Sequence, residues 1–462
     1  MSAANPNARE TTPLYGLFTI GLGASIAPMD FAVNVAFPAI TAAFALEMQA
    51  IRWLVVFYVI TYASLLLAFG RLGDIIGHRA VFRAGLIIST LAFAACGLAP
   101  TYAWLLAARA LQGIATALVL SCAPALVVAA CGEARRTWAL SRYTMSAAIA
   151  SIIGPLAGGM AIQHMGWAGV FWFRLPVALL ALVLLAQLPA LQSAQRTPRQ
   201  LDIISSSLLA AGLALLLVTP VLWPDANRAV WPLATGIAGT LALLFFARRE
   251  HGATEPLLPA AALRKVTLAN LTSIMVNFVG FAIPLLVPYY LARIGGYDAT
   301  EMGILLAVAS AGVLAGSTLA TGIIHAAGQR RATLLAAALV ALAQGVIAYW
   351  PIAPSAAVLL PGLILHGAGI GLFQVSYADL VVASLHQRDR GVAGSVTVLT
   401  RTVGVIIGAA ALTGALQALE AHHLTAGLTA HDAFHTAFRF VLLGSGLLLA
   451  GFVAISVIRK PH

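Results

Sequence analysis

Charged residues are scarce in this sequence. Asp, Glu, Lys and Arg together make up 9% of the 462 residues, whereas apolar residues make up 61%. This shortage excludes a water-soluble globular domain, because such domains carry about 25% charged residues. The composition instead predicts a chain that lies mostly in lipid.

Lysine and cysteine are also rare. The two lysines, Lys265 and Lys460, lie outside any Gly-x-x-x-x-Gly-Lys-Ser/Thr loop, so direct use of ATP by this chain is not expected. The three cysteines are Cys96, Cys122 and Cys131. They lie in or beside apolar runs, and their odd number argues against disulfides.

Long apolar runs without period-2 alternation predict membrane-spanning α-helices rather than barrel strands. We predict fourteen spans, near residues 14–37, 53–69, 80–99, 103–128, 143–163, 168–188, 203–223, 230–247, 267–291, 300–322, 332–350, 354–384, 394–417 and 435–457.

The net charge of +11 is distributed as a topology signal rather than as a nucleic-acid surface. Most of the 26 basic residues fall in alternate links between the predicted spans. The positive-inside rule makes that side cytoplasmic, and an even number of spans places both termini there. The sequence therefore predicts a multi-pass protein of the plasma (inner) membrane.

An internal duplication divides the chain into two halves. The segment 70–80 (GRLGDIIGHRA) matches 321–332 (TGIIHAAGQRRA), with Arg79 against Arg330 at an offset of 330 − 79 = 251. Paired bundles of this kind hold solute at the membrane midplane and alternate access by rocking. We predict a cytoplasmic tail at 1–13, a six-helix bundle at 14–190, two linker helices at 191–250 and a second six-helix bundle at 251–460.

Charged side chains inside spans are costly, so they are the natural functional candidates. Asp30 and Arg109 lie at similar depths in the first and fourth spans, so their side chains could meet. The pair is either a switchable proton site or a static buried ion pair. Asn34 lies one turn beyond Asp30, and Gln112 lies one turn beyond Arg109. His366 is a separate candidate, which is either a proton carrier or a satisfied core histidine.

Three further residues are candidates for the cavity or for helix packing. Arg174 and Arg401 each fit either a helix-packing role or a cavity role. Tyr290 is expected to line the cavity, because the repeat geometry assigns helices 1, 4, 9 and 12 to it.

The first copy of the repeated loop predicts a cytoplasmic latch. Gly70 and Gly77 allow a tight turn and close helix approach, Asp74 can accept hydrogen bonds, and Arg79 can pair across the bundle. The alternative is that the loop arginines only anchor the topology.

The second copy of the loop differs in charge, since His325 replaces the aspartate. Asp379, close to the inner end of its span, is expected to pair with Arg330 or Arg331 rather than to titrate.

The fifth span carries Gly154, Pro155, Gly158 and Gly159 within two turns. Proline bends a helix and glycine lets another backbone approach closely, so this segment is either a mechanistic motif or a small-residue packing face.

Together these motifs resemble the major facilitator superfamily, and within it the fourteen-span drug:proton antiporter branch. The resemblance covers nearly the whole chain. It rests on Met29–Ile40 (MDFAVNVAFPAI), on Gly70, Leu72, Asp74, Gly77 and Arg79, on Arg109, Gln112 and Gly113, and on the fifth-span glycines and proline.

This resemblance implies an all-α polytopic membrane protein with the major facilitator fold. It implies proton-driven export of small amphipathic or cationic compounds, with Asp30 as the protonation and cation-recognition acid and Arg109 as its modulator. The fifth-span motif would mark exchange. The expected partners are a small-molecule substrate, protons and the lipid bilayer. No cofactor, metal or nucleic acid is expected, and the chain is expected to act as a monomer.

Three positions depart from the branch. Ala150 stands where a further glycine is common, Arg174 where asparagine usually precedes Pro176, and Ala292 where glutamine is common. The last two bear on substrate range.

Three other functions are compatible with parts of this sequence to different degrees. The same fold could export a metabolite, amino acid or siderophore, and a carboxylate on that solute would favour Arg109 and Arg174 as its recognition groups. A membrane-embedded enzyme would need paired acids or a metal cluster at a helix end, and the sequence has neither, so no enzyme is expected. A passive channel would not need duplicated halves with latch loops.

Overall fold

The computed structural model describes residues 6–188, 203–222, 230–250, 267–384 and 390–458, and the regular secondary structure there is helical. The predicted domain boundary after residue 190, the segment 251–266, Lys265 and Lys460 lie outside the described residues. The helices are α1 (Pro6–Ser25), α2 (Ala32–Val35), α3 (Phe37–Ala43), α4 (Ile51–Ile76), α5 (His78–Gly97), α6 (Tyr102–Cys131), α7 (Arg136–Met165), α8 (Gly169–Trp172), α9 (Arg174–Gln187), α10 (Ile203–Leu222), α11 (Val230–Glu250), α12 (Thr267–Gly280), α13 (Ala282–Arg293), α14 (Ala299–Ala327), α15 (Gln329–Ala348), α16 (Ala356–Ser384), α17 (Arg390–Thr425) and α18 (Ala430–Ile458).

Thirteen segments of the described chain are long and apolar enough to cross a membrane. The predicted count of fourteen is therefore not exact. The difference lies at the seventh predicted span, where the described apolar helix Ser207–Leu222 is shorter than the others. The all-helical, multi-pass prediction is confirmed.

Three predicted spans are broken rather than continuous. The first changes at Pro28–Phe31 into a 3₁₀ turn that contains Asp30, and the ninth breaks at Phe281 between α12 and α13. These two breaks are related by the repeat, since 281 − 30 = 251. The sixth span breaks at Phe173, between α8 and α9. Irregular backbone at membrane depth is tolerated only where protein or a cavity surrounds it, so these breaks mark the protein interior.

Buried apolar side chains form three clusters, and these define how the two halves meet. One cluster draws on both the N-terminal half (α1–α9) and the C-terminal half (α12–α18), for example Phe37 and Tyr289. The second lies entirely within the N-terminal half, and the third within the C-terminal half. Among the described residues, the halves therefore share an apolar core at one end, which we call the closed end.

Polar contacts also join the halves at the closed end. The hydroxyl groups of Thr41 and Tyr289 are 2.6 Å apart, and the Gln417 amide donates to the Glu47 carboxylate at 3.2 Å. The opposite end carries Gly77 and Gly328, whose φ angles of 99° and 81° lie in the region that favours glycine. We call it the turn end.

Candidate functional site

Asp30 is the centre of a buried polar cluster in the N-terminal half. It lies in the 3₁₀ turn between α1 and α2, and its side chain is 12% exposed. Pro28 at the start of that turn cannot continue the hydrogen-bond ladder of α1. The break thus presents the carboxylate to the neighbouring helices.

Arg109 on α6 meets this carboxylate with both terminal nitrogens. Its Nη1 lies 2.7 Å from Oδ1 of Asp30, and its Nη2 lies 2.9 Å from Oδ2. Its Nε donates to the Leu54 carbonyl oxygen, and the guanidinium lies over the Tyr58 ring. The contact predicted from helix depth is confirmed, and the two-pronged geometry orients both side chains.

Gln112 completes the same side of the cluster. Its Nε2 donates to Oδ1 of Asp30 at 2.9 Å, and its Oε1 accepts from Arg109 Nη1 at 2.7 Å. Asn34 lies one turn beyond Asp30 on α2 and is buried, without a direct hydrogen bond to the carboxylate among the described contacts.

Arg174 is a member of this cluster that the sequence did not assign to it. The residue begins α9 at the break in the sixth span, and its Nη1 lies 2.6 Å from Oδ1 of Asp30. Its Nε donates to the Val170 carbonyl oxygen, and its guanidinium lies over the rings of Phe93 and Phe171. The available signal was an arginine in an apolar span where the resemblance leads one to expect asparagine.

The charges of this cluster do not balance. One carboxylate faces two guanidinium groups, and Arg109 and Arg174 are 2% and 0% exposed. Within the described part of the chain, Nη2 of Arg174 is buried without a hydrogen-bond partner. The cluster therefore carries one surplus positive charge when Asp30 is ionised.

The fifth-span motif connects this cluster to the other half. A Cβ on Gly154 would lie 2.9 Å from the Met29 carbonyl oxygen, so α7 packs directly on the turn that holds Asp30. On the next face of α7, Gly159 approaches Gly303 of α14, where a Cβ would lie 3.0 Å from the Gly303 Cα. Glycine is required at both contacts because two backbones meet there.

Gly158 and Pro155 complete these two contacts of α7. Gly158 packs against Ala32, the first residue of α2, and the Pro155 carbonyl lies against Gly303. One side of the motif thus faces the Asp30 turn, while the other faces the opposite half.

The structure places other predicted cavity residues elsewhere. His366 lies on α16 in the C-terminal half, 6% exposed, with no hydrogen bond to the Asp30 cluster among the described residues. Tyr290 does not line a cavity: it is fully buried, donates to the Pro351 carbonyl oxygen and stacks on Phe438. Arg401 on α17 is exposed, and its role stays a prediction.

At the turn end, the loop arginines make contacts within their own halves. Arg79 donates to the carbonyl oxygens of Leu185 and Leu188. Oδ1 of Asp74 lies 3.3 Å from Nε2 of His78, and a Cβ added at Gly70 would lie 3.9 Å from the Cβ of Ser121.

The predicted ion pair of Asp379 with Arg330 or Arg331 does not occur among the described residues. Arg330 instead donates to the Ser456 carbonyl oxygen at 2.8 Å. The assignment of Asp379 to a latch stays a prediction.

A family model for the Major Facilitator Superfamily matches residues 16–409. The chain belongs to this superfamily. It is a transporter rather than an enzyme, and the multi-helix architecture described above is that of a superfamily member.

Relatives and solved structures agree with this assignment. The chain is 28% identical over 419 residues to the Multidrug resistance protein Stp of Mycobacterium tuberculosis (strain CDC 1551 / Oshkosh), covering 88% of this chain and 76% of the relative. It is 28% identical over 461 residues to the Methylenomycin A resistance protein of Streptomyces coelicolor, covering 96% and 92%. A crystal structure of an auto-inhibited POT family peptide transporter superposes with a TM-score of 0.70 at 14% identity, covering 97% and 98%, and so shares the fold.

Proposed function

We propose that this chain exports small amphipathic compounds in exchange for protons, as a member of the fourteen-span drug:proton antiporter branch. The observation that carries the proposal is the buried carboxylate of Asp30, held by Arg109 and Arg174 at a break in a membrane span. The relatives named for resistance to antibiotics support drug-like solutes.

Proton binding would act by breaking the ion pairs of Asp30 with Arg109 and Arg174. Ionised Asp30 accepts four hydrogen bonds and ties α6 and α9 to the broken turn. Protonation would remove the negative charge, so the guanidinium groups of Arg109 and Arg174 would repel each other without compensation. The turn that holds Asp30 would then be free to shift.

The fifth-span motif would pass that shift to the other half. Gly154 touches the Asp30 turn and Gly159 touches Gly303, so α7 contacts both the proton site and the opposite bundle. A shift of the turn therefore acts on the helix crossing that joins the halves, which is the element that must move for alternating access.

We further propose that the turn end faces the cytosol, with both termini on that side of the plasma (inner) membrane. The arginines near Gly77 and Gly328 support this orientation. With the closed end outside, the structure would correspond to the state that receives solute from the cytosol. One chain holds both halves, so we propose that the monomer is the transporting unit.

The test uses proteoliposomes loaded with a pH-sensitive dye and challenged with a panel of amphipathic antibiotics that includes methylenomycin A. We expect compound-driven proton movement with the wild type and its loss with Asp30→Asn. Arg439→Gln, an exposed charge change, serves as the matched control and should behave like the wild type. Proton movement that persists unchanged in Asp30→Asn would remove this carboxylate from the cycle.

A further inference from the structure

The surplus charge beside Asp30 bears on which solutes the site accepts. The carboxylate carries one negative charge and the two guanidinium groups carry two positive charges, all within 2.9 Å contacts. Tyr58, Cys96 and Tyr102 also interact with this cluster, and all three are ordinarily uncharged at neutral pH. Nothing in the described surroundings offsets the excess.

The acceptor capacity of Asp30 is also largely used. Oδ1 accepts from Arg109, Arg174 and Gln112, and Oδ2 accepts from Arg109. The charge of this carboxylate is already neutralised by the two guanidinium groups. An organic cation near it would therefore be repelled by the net positive charge of the cluster. Because the cluster is buried, water screens that repulsion little.

Arg174 is the source of the imbalance. Without it, Asp30 and Arg109 would form a neutral pair that still leaves room for a further donor at Oδ1. We propose that Arg174 is a specificity residue that makes the site reject organic cations and take uncharged or acidic amphipathic compounds. The inference rests on the proposed transport of amphipathic compounds and narrows its substrate class.

A purely structural function of Arg174 would also explain its contacts, which tie the start of α9 to Val170 of α8 and to Asp30 of the broken turn. That function would affect folding and the affinity for every ligand alike. Charge rejection differs because it changes the ratio of affinities for a cation and for an uncharged compound of similar shape.

The test measures equilibrium binding to the purified full-length protein in nanodiscs. The probes are tetraphenylphosphonium, a cation, and triphenylphosphine oxide, which is uncharged and of similar shape. We expect the wild type to favour the oxide, and Arg174→Gln to shift the affinity ratio by about tenfold towards the cation. Arg174→Lys keeps the charge and should keep the wild-type ratio within about threefold. Arg439→Gln is the control for an equal change of net charge elsewhere.

Both probes are measured on the same sample, so partial loss of folded protein cancels from the ratio. If Arg174→Gln does not fold, Asp30→Asn supplies the second variant, since it raises the surplus charge and should weaken cation binding further. An unchanged ratio in Arg174→Gln, or a ratio in Arg174→Lys equal to that in Arg174→Gln, would overturn the proposal. Proton exchange is measured separately in the dye assay. A failure of the proposed antiport would therefore be distinguishable from a failure of the proposed cation rejection by Arg174.

Discussion

Arg79 and Arg330 occupy matching positions in the two halves and make the same kind of contact. Arg79 donates to the carbonyl oxygens of Leu185 and Leu188, at the end of the last helix of the N-terminal half. Arg330 donates to the Ser456 carbonyl oxygen near the end of α18, the last helix of the C-terminal half. Each arginine therefore fastens the last helix of its own bundle, which lets each half move as a unit.

We expect Arg79→Ala to destabilise the N-terminal half. The substitution removes two charge-assisted hydrogen bonds to helix-end carbonyls, which should lower the free energy of unfolding by about 2 kcal/mol. Thermal unfolding in detergent measures the effect. Arg83→Ala, an exposed arginine on the same helix, is the control and should melt within error of the wild type. Equal melting of the two variants would contradict the fastening role.

Arg109→Gln should be more damaging than loss of a surface charge. It removes the two-pronged partner of Asp30 and the hydrogen bond to Leu54, and breaking a buried pair costs about 3 kcal/mol. Arg174 still contacts the carboxylate, so we expect a folded but less stable protein. A melting temperature equal to that of Arg439→Gln would show that the cluster contributes little to stability.

Gly159→Ala should open the closed end. The added Cβ would collide with the backbone of α14 at Ala299 and Gly303, where a methyl group has no room. Pulsed electron spin resonance between labels at Ala43 and Ala426, on a background without the native cysteines, should show a longer distance.

The matched control for that substitution is Gly414→Ala, whose Cβ would meet nothing within 4 Å. The distance distribution between the labels at Ala43 and Ala426 should be the same in this variant as in the unsubstituted, cysteine-free background. If Gly159→Ala also leaves the distribution unchanged, the α7–α14 crossing does not limit closure of this end.

Tyr289→Phe should have a smaller effect in the same direction. It removes one hydroxyl that contacts Thr41 across the two halves, worth about 1 kcal/mol, which raises the open population at the closed end about fivefold. The same label pair reports the change. Tyr349→Phe, on an exposed ring of the C-terminal half, should leave the populations as they were.

The sequence predicted those features that depend on length and depth. The lengths of the apolar runs predicted where the helices lie. The rise of about 1.5 Å per residue predicted that Asp30 and Arg109 lie at similar depths. The repeat offset of 251 also holds at the breaks near Asp30 and Phe281, although the sequence did not predict that these spans would break.

Features that depend on helix rotation and on distant partners were harder to predict. Depth does not say which face of α9 turns inward, so Arg174 could not be separated from a packing residue. Tyr290 was assigned to the cavity because its helix is central, yet rotation buries its ring against Phe438. Asp379 and Arg330 lie at the same end of the bundle, but Ser456 offers a competing carbonyl that no sequence pattern reveals.

The glycine crossing of α7 and α14 has a mechanical consequence. Gly159 and Gly303 meet through their backbones, so no side-chain rotamer at these two positions must change when one helix turns about the other. From Gly303 to the end of α14 at Ala327 the helix extends about 36 Å, so a rotation of about 10° displaces its far tip by about 6 Å. A small angular change at this backbone contact therefore becomes a displacement of several ångströms at the far end of α14, which lies at the turn end of the bundle.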